Sequence, residues 1–178
     1  ENYSIEEVEK QIELLKSKNV LVIGDVIIDE YVFCQPIGIA DKSNCLNATY
    51  INKERHLGGA AAVANHLADF CQSVYFLAPM KQRSESRSFL EKSIDSRIEC
   101  VFTNTREDLV TVKQRFIPEH QQTNQLFELT HSNNQVEEES SKSTTILRIS
   151  EIIKKIDLVV VSDYGYGMIN PKIIDYLC

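Results

Sequence analysis

Residues 57–65, Leu-Gly-Gly-Ala-Ala-Ala-Val-Ala-Asn, are the most informative stretch of this chain. Gly58 and Gly59 lead directly into a run of small residues that favour a helix. A backbone that turns sharply and lets a ligand approach needs residues without a Cβ atom. The start of a helix offers unpaired N–H groups and the positive end of its dipole, which suits an oxygen-rich or phosphorylated small molecule. A tight loop before a helix that packs closely on a sheet explains the same residues equally well.

The composition is that of a folded domain with a substantial core. The chain has 178 residues, of which 43% are hydrophobic and 25% are charged. Its net charge of −7 leaves no excess of Lys and Arg to neutralise phosphates, so we expect no nucleic-acid partner. No apolar run approaches the length of a membrane span, and we expect a cytoplasmic protein without a membrane partner.

The cysteines and histidines give no sign of a disulfide framework or a metal site. The five cysteines are widely and irregularly spaced and form no Cys-x-x-Cys pair, and the four histidines do not complete a metal-ligand pattern. We therefore expect reduced thiols and no bound metal.

Apolar runs that alternate with helical periodicity predict an α/β fold with parallel strands. Buried strands are predicted at 20–23, 74–77 and 158–161, and a further strand at 98–102. Helices are predicted at 4–17, 59–70, 84–93 and 144–155, and a last one starting near Asn170 and Pro171. Strand-like pieces at roughly 27–56 and 109–129 predict a small second sheet, and the polar segment 131–143 predicts a solvated loop.

Two carboxylates follow the first predicted strand, in the stretch Gly24-Asp25-Val26-Ile27-Ile28-Asp29. In open α/β sheets, ligands bind at the carboxyl ends of the strands, where Asp25 is expected. A carboxylate there can accept hydrogen bonds from neighbouring hydroxyls of a sugar. The alternative is that Asp25 caps a turn and that Asp29 is only solvated. A dinucleotide site has weak support because it needs Gly-x-Gly-x-x-Gly, and this stretch has only Gly24.

Four further polar residues are candidates for the same edge of the sheet. Asn65 lies two turns into the helix after the paired glycines, where it meets a hydroxyl or lies on the helix surface. Strand alternation puts Lys113 and Arg115 on one face, where two cations hold a phosphate or are merely solvated. Asp163 follows the strand at 158–161 in a glycine-containing loop, where it orients a ligand group or caps the next helix.

Taken in order, these motifs resemble those of the ribokinase-like (PfkB) carbohydrate kinases, and most of all their heptose-phosphate kinase branch. The matching stretches are Val-Leu-Val-Ile-Gly-Asp-Val-Ile-Ile-Asp, Gly-Gly-Ala-Ala-Ala-Val-Ala-Asn-His-Leu-Ala, Lys-Gln-Arg-Phe-Ile and Val-Val-Val-Ser-Asp-Tyr-Gly-Tyr-Gly. The resemblance covers about residues 19–178 and only the N-terminal half of that family's fold. It implies a Rossmann-like parallel sheet flanked by helices, with residues 1–178 as one domain that is incomplete at the C-terminus. The strands at about 27–56 and 109–129 would form a small β-sheet lid, which in this family often mediates a homodimer.

The resemblance also implies roles for single residues. Asp25 and Asp29 would lie at a sugar or sugar-phosphate substrate, and Gly58 with Gly59 would form a hinge and a sugar contact. Lys113 and Arg115 would approach the sugar or its phosphate, and Asp163 would lie near the transferred phosphoryl group. The complete protein would use Mg-ATP, whose γ-phosphate a sugar hydroxyl attacks after an Asp base accepts its proton.

Three departures from the family pattern limit what this chain is expected to do. The family usually has Asn where this chain has Ala62, and the branch usually has Lys where it has Tyr166. Nothing matches the family's Gly-Ala-Gly-Asp anion hole with its catalytic Asp. We therefore expect no catalytic residue, no cofactor and no phosphoryl transfer for this chain alone. Three interpretations stay open: the substrate half of a kinase of nucleotide-sugar or surface-polysaccharide biosynthesis, a non-catalytic sugar-binding module, and part of a bifunctional kinase and nucleotidyltransferase.

Overall fold

The computed structural model describes residues 3–106, 108–120, 124–132 and 139–178, and only the backbone for 139–143. The helices are α1 (Ile5–Leu15), α2 (Gly59–Leu67), α3 (Glu85–Ser93), α4 (Glu139–Ile152) and α5 (Pro171–Leu177), and a short 3-10 turn (Ile153–Lys155) follows α4. The strands are β1 (Asn19–Gly24), β2 (Val26–Ile39), β3 (Leu46–Gly58), β4 (Ser73–Lys81), β5 (Ile98–Thr105), β6 (Val110–Pro118), β7 (Phe127–His131) and β8 (Leu158–Ser162).

The main sheet has the strand order β5-β4-β1-β8, and all of its pairings are parallel. The continuous apolar run of β1 is buried because helices cover both faces of the sheet. On one face, α2 and α3 pack through Ala60, Ala64 and Leu90. On the other face, α4 and α5 pack through Ile149 and Ile173. The predicted α/β architecture, a parallel sheet flanked by helices, is confirmed.

A second sheet has the strand order β3-β2-β6-β7. β2 and β3 form a long antiparallel hairpin, β6 lies parallel to β2, and β7 lies antiparallel to β6. Asp25 alone separates β1 from β2, so the chain passes from the main sheet into the second sheet at this residue. In the β2–β6 register, Asp29 pairs with Lys113 and Tyr31 pairs with Arg115, which brings the two candidate cations beside the second candidate carboxylate.

Helix α1 forms where its periodicity predicts it. Ser4 and Glu7 make the expected capping box, in which each side chain accepts the backbone N–H of the other residue. No residue of α1 is buried, and Ile5 is 78% exposed, so its apolar face lies on the surface of the described chain. None of the helices in the described ranges is long and apolar enough to cross a membrane.

The polar segment 131–143 differs in part from the predicted loop. His131 ends β7, residues 133–138 lie outside the described residues, and α4 begins at Glu139. The loop prediction is therefore wrong for 139–143, and the predicted helix starts earlier and ends at Ile152. The first turn of a helix favours acidic and hydroxyl residues and needs no apolar ones. The first turn of α4 therefore has the composition of a loop, which explains why residues 139–143 were predicted as one.

Candidate functional site

Asp25 is the residue on which the two sheets and the loop after β8 converge. Its side chain is buried, and its Oδ2 atom accepts the backbone N–H groups of Tyr164 at 2.8 Å and Tyr166 at 3.1 Å. Its Oδ1 atom accepts the N–H group of Met168 at 3.1 Å. Hydrogen bonds to a carboxylate are among the stronger ones in proteins. Both oxygens of Asp25 therefore hold the loop 163–168 against the end of β1.

The backbone of Asp25 joins the same three segments. Its N–H donates to the carbonyl of Ser162 at 3.1 Å, and its carbonyl accepts the N–H of Ala60, at the start of α2, at 2.9 Å. Gly24 has a φ of 155° and Gly59 has a φ of 55°, which L side chains rarely adopt. A Cβ atom at Gly24 would overlap the carbonyl of Ser162, and one at Gly59 would overlap the carbonyl of Asp25. Both glycines are needed for this close approach of backbones.

Asp29 lies four residues further along, beside Gly58. A Cβ atom at Gly58 would overlap the Oδ2 atom of Asp29, so the carboxylate occupies the space that the glycine leaves open. The Oδ1 atom of Asp29 accepts a hydrogen bond from Arg115 and forms an ion pair with it. The Oδ2 atom has no hydrogen-bond donor among the described residues, so one oxygen of Asp29 is available to a ligand.

Arg115 is held by two carboxylates and one ring. Its Nε lies 3.0 Å from the Oε2 atom of Glu128, its terminal nitrogen pairs with Asp29, and its guanidinium lies 5.5 Å from the ring centre of Tyr31. Partial burial opposes its charge, but the hydrogen bond and charge of Asp29, together with the charge of Glu128, outweigh this and raise the pKa of Arg115. The positive charge of Arg115 is thus fully compensated within the protein.

Lys113 has a different environment, although it lies on the same face of β6. Its ammonium group lies 5.5 Å from the ring centre of Tyr166. In the part of the chain that the structure describes, no carboxylate lies within ion-pair distance of Lys113. The contact joins the second sheet to the loop that Asp25 holds.

The other two candidates, Asn65 and Asp163, make no described contact with Asp29, Lys113 or Arg115. The Oδ1 atom of Asn65 accepts the N–H of Asp95 at 2.9 Å, and Asp95 precedes β5, at the edge of the main sheet opposite the strand tips. The structure therefore does not bring Asn65 to the other candidates. Asp163 is exposed, and its Oδ1 atom accepts the N–H of Gly165 at 2.9 Å within its own loop.

Sequence reasoning missed three side chains that complete the arrangement. Tyr31 and Glu128 contact Arg115, and the ring of Tyr166 contacts Lys113. Tyr31 was within reach of the pattern, because it lies two residues after Asp29 and therefore shares its face of β2. Glu128 stands opposite Arg115 in the β6–β7 register, which requires the pairing of two strands to be known.

The residues connected by these contacts form the candidate site, which we call the strand-tip site. It consists of Asp25, Asp29, Gly58, Gly59, Lys113, Arg115 and Tyr166. It contains one carboxylate oxygen and one ammonium group that have no hydrogen-bond or ion-pair partner among the described residues, and two glycines whose backbone a ligand can approach closely. Such groups can bind hydroxyls and an anion. No group of three His, Cys, Asp or Glu side chains in the described ranges lies close enough to hold a metal ion.

Comparisons with known proteins agree with this geometry. No family model matches the chain. It is 32% identical over 166 residues to the bifunctional protein HldE of Aliarcobacter butzleri, covering 90% of this chain and 33% of that protein. It is 29% identical over 154 residues to the bifunctional protein HldE of Campylobacter jejuni subsp. doylei, covering 86% of this chain and 31% of that one. The chain thus spans about a third of the length of these relatives.

Solved structures show the same fold at low sequence identity. Phosphofructokinase-2 from Escherichia coli matches with a TM-score of 0.63 at 12% identity, over 90% of this chain and 49% of that one. A carbohydrate kinase from Agrobacterium tumefaciens matches with a TM-score of 0.55 at 15% identity, over 81% of this chain and 45% of that one. They show that the chain has the fold of these ribokinase-like sugar kinases, over about half of the length of the solved structures, as the order of its motifs predicted.

Proposed function

We propose that this chain is the substrate-binding half of a carbohydrate kinase, which transfers a phosphoryl group from ATP to a hydroxyl of a sugar or sugar phosphate. The observation that carries this proposal is the juxtaposition of Asp29, Gly58 and Lys113. A polyol needs hydrogen-bond acceptors and a backbone that it can approach closely, and a phosphate on it needs a cation. The strand-tip site supplies all three.

Asp29 is the residue best prepared to hold a sugar hydroxyl. Arg115 engages its Oδ1 atom and fixes the carboxylate, which leaves Oδ2 as an acceptor beside Gly58. Asp25, in contrast, binds its own chain with both oxygens. We therefore assign direct sugar contact to Asp29 and Gly58, and we assign to Asp25 the task of shaping the loop 163–168.

The second sheet serves as a lid in this proposal. β2 carries Asp29 and β6 carries Lys113, so two proposed ligand-binding residues belong to the lid. Asp29 lies beside Gly58, where β3 leads into α2, and Lys113 contacts Tyr166, in the loop after the main-sheet strand β8. A lid that closes on a sugar excludes water, which would otherwise compete with the sugar hydroxyl for the phosphoryl group.

Nucleotide binding and the proton-accepting base are not assigned to the described residues. The described residues include no cluster of three His, Cys, Asp or Glu side chains that could hold a metal ion, and the chain spans about a third of its HldE relatives. The whole protein would use Mg-ATP, in the cytoplasm, in nucleotide-sugar or surface-polysaccharide biosynthesis. The chain alone would bind sugar weakly and transfer no phosphoryl group.

Pairing of two copies through the lid is part of the same proposal. The far end of the second sheet exposes large apolar side chains, among them Ile37 at 65%, Ile39 at 60% and Tyr50 at 60%. Apolar residues gathered on one exposed sheet are typical of a contact surface. Sedimentation of the longest natural chain should give the mass of a dimer, and Tyr50→Lys should shift it to a monomer. A monomer before substitution would contradict the pairing without touching the proposed activity.

A binding screen tests the proposed function. The longest natural chain that contains these residues is heated with six- and seven-carbon sugars, each with and without a terminal phosphate. At least one should raise the melting temperature, because a ligand that binds only the folded state stabilises it by mass action. Asp29→Asn should abolish this shift, and Asp175→Asn, at an exposed position of α5, should preserve it. Absence of any shift with the unsubstituted chain would overturn the proposal.

A further inference from the structure

We propose that Arg55 is a positioning residue that holds the second sheet against α3 and thereby keeps this sheet from tilting toward the loop 163–168. The inference goes beyond the proposed function, because it concerns the place of the second sheet before any ligand binds. Its basis is a buried charge cluster on the face of the second sheet opposite to Asp29.

The cluster is built around Glu30, which follows Asp29 on β2 and therefore faces the other side of the second sheet. The Glu30 side chain is buried. Its Oε2 atom accepts a hydrogen bond from Lys53 at 3.0 Å, and its Oε1 atom accepts one from Gln114 at 2.5 Å. Both carboxylate oxygens are thus held by residues of the second sheet itself.

Arg55, on β3, connects this cluster to α3. Its Nε atom lies 3.3 Å from the Oε2 atom of Glu30, and its terminal nitrogen donates to the Oε1 atom of Glu85 at 2.6 Å. Its guanidinium lies 4.9 Å from the ring centre of Phe89. Glu85 and Phe89 belong to α3, which packs on the main sheet through Leu90. One guanidinium therefore joins the two sheets, because its separate nitrogens can engage two carboxylates.

The two ends of this bridge differ in exposure. The Glu30 side chain is 3% exposed, whereas the Glu85 side chain is 81% exposed. An ion pair with an exposed carboxylate contributes little to stability, because water competes for both partners. Separation of the buried pair is costly, because it leaves a buried charge uncompensated. When the second sheet moves, Arg55 therefore stays with Glu30, and its contact with Glu85 is the one that opens.

The Nε atom of Arg55 indicates a second arrangement of the bridge. This atom is buried and makes no hydrogen bond with any described residue, although Glu30 is close to it. Buried polar groups in folded proteins nearly always have a partner. Release of Glu85 would let the guanidinium turn and donate its Nε–H to Glu30. The open bridge therefore satisfies a group that the closed bridge leaves unsatisfied.

The direction of the tilt follows from the contacts on the two faces of the second sheet. Lys113, on the face opposite to Glu30, lies against Tyr166 in the loop after β8. Helix α3 covers one face of the main sheet, and α5, which follows this loop, covers the other. A second sheet released from α3 therefore moves toward the loop 163–168 and α5. The bridge opposes this movement and keeps the strand-tip site open.

Two native thiols allow the tilt to be measured. Cys45 is exposed in the loop between β2 and β3, and Cys178 is exposed at the end of α5. Spin labels on both report the distance between the second sheet and α5 by double electron–electron resonance. The measurement uses the longest natural chain, with any cysteine outside residues 1–178 replaced by serine. A short labelling reaction spares Cys71 and Cys100, because burial raises the pKa of both thiols.

Glu85→Gln should shift the distance distribution toward shorter values and leave the melting temperature nearly unchanged, because the Glu85 side chain is exposed. Arg55→Lys should give a shift of the same size, because one ammonium group cannot engage both carboxylates. The combination of both substitutions should shift the distribution no further than either alone, since both open the same contact. Glu91→Gln is the matched control, because it removes an ion pair of α3 with Arg87 that does not reach the second sheet.

An unchanged distribution in either Glu85→Gln or Arg55→Lys would overturn the inference, and so would a shift toward longer distances or additive shifts in the combination. An equal shift in Glu91→Gln would mean that any loosening of α3 moves the second sheet, and would overturn it too. The measurement contains no sugar. Failure of this inference therefore leaves the proposed function intact, and absence of sugar binding in the screen leaves the inference intact.

Discussion

The Oδ2 atom of Asp29 occupies the space that a Cβ atom would need at Gly58. The two residues belong to neighbouring strands of the second sheet, and Gly58 also begins the connection to α2. The glycine is required here by a side chain and not by its own backbone, which is extended with a φ of −124°. Because a side chain creates the requirement, removing the Asp29 side chain tests why Gly58 is a glycine.

Gly58→Ala should destabilise the fold by about 1–3 kcal/mol, because the added methyl group forces the carboxylate of Asp29 to move. In an Asp29→Ala background the same substitution should cost much less, because the overlapping atom is gone. Denaturant unfolding of the four proteins measures the difference. Equal costs in both backgrounds would mean that the overlap with Asp29 is not what requires glycine.

Asp25→Asn should free the loop 163–168. An amide offers one acceptor oxygen where the carboxylate offers two, so at least one of the three N–H groups loses its partner, and a buried unsatisfied group costs about 1–3 kcal/mol. Hydrogen exchange at Tyr164, Tyr166 and Met168 should accelerate. Asp163→Asn, which alters one exposed bond within the loop, is the control and should leave exchange at these amides nearly unchanged.

The ionisation of Glu30 should make the melting temperature depend on pH between neutral pH and pH 3. Burial of Glu30 opposes its charge, but hydrogen bonds from Gln114 and Lys53 outweigh this and lower its pKa below 4.5. Its contribution is present above pH 4.5 and is lost as the pH falls below that value, because the unfolded chain then binds the proton more tightly. Glu30→Gln should therefore flatten the fall in melting temperature between neutral pH and pH 3, whereas Glu99→Gln at an exposed position should not.

The cysteines should differ in their rates of thiol modification. Cys45 and Cys178 are exposed, Cys34 is buried, and burial raises the pKa of Cys100 to about 11. The thiolate is the reactive form, so at pH 8 the first two should react with a disulfide reagent within the dead time of mixing. Cys34 should react only after denaturant is added, and Cys100, which is half-buried, should react much more slowly than the exposed thiols. A rate at Cys100 equal to that of Cys45 would contradict the raised pKa of its thiol.

Much of the fold could be predicted from the sequence because its signals are local. The apolar runs of β1, β4 and β8 and the capping residues Ser4 and Asn170 are complete within short windows of the chain. The start of α4 could not be predicted, because a polar first turn has the composition of a loop. Helix α1 illustrates a further limit, since its apolar period predicts the helix but not whether anything covers it.

The sequence predicted which residues come together in the candidate site, but not which contacts each of them makes. Asp25, Asp29, Gly58, Gly59, Lys113 and Arg115 meet because strand tips and register bring them together. Asp25 binds backbone N–H groups with both oxygens and Asp29 keeps one oxygen without a described donor, and this difference depends on contacts between distant segments. Tyr166 contacts Lys113 only because Asp25 holds its loop, and Asn65 binds the N–H of Asp95 instead of facing the site. No local pattern encodes such pairings.

The bonds from Tyr164 and Met168 to Asp25 span 139 and 143 residues of chain. During synthesis, Asp25 therefore leaves the ribosome long before the amides that will donate hydrogen bonds to it, and its carboxylate stays hydrated in the meantime. Contacts of such large sequence separation form slowly, because the intervening chain must first be ordered. We expect β1 to join the main sheet early through β4, and the carboxylate at its tip to gain its partners only when β8 docks. The strand-tip site should therefore be among the last parts of the molecule to form.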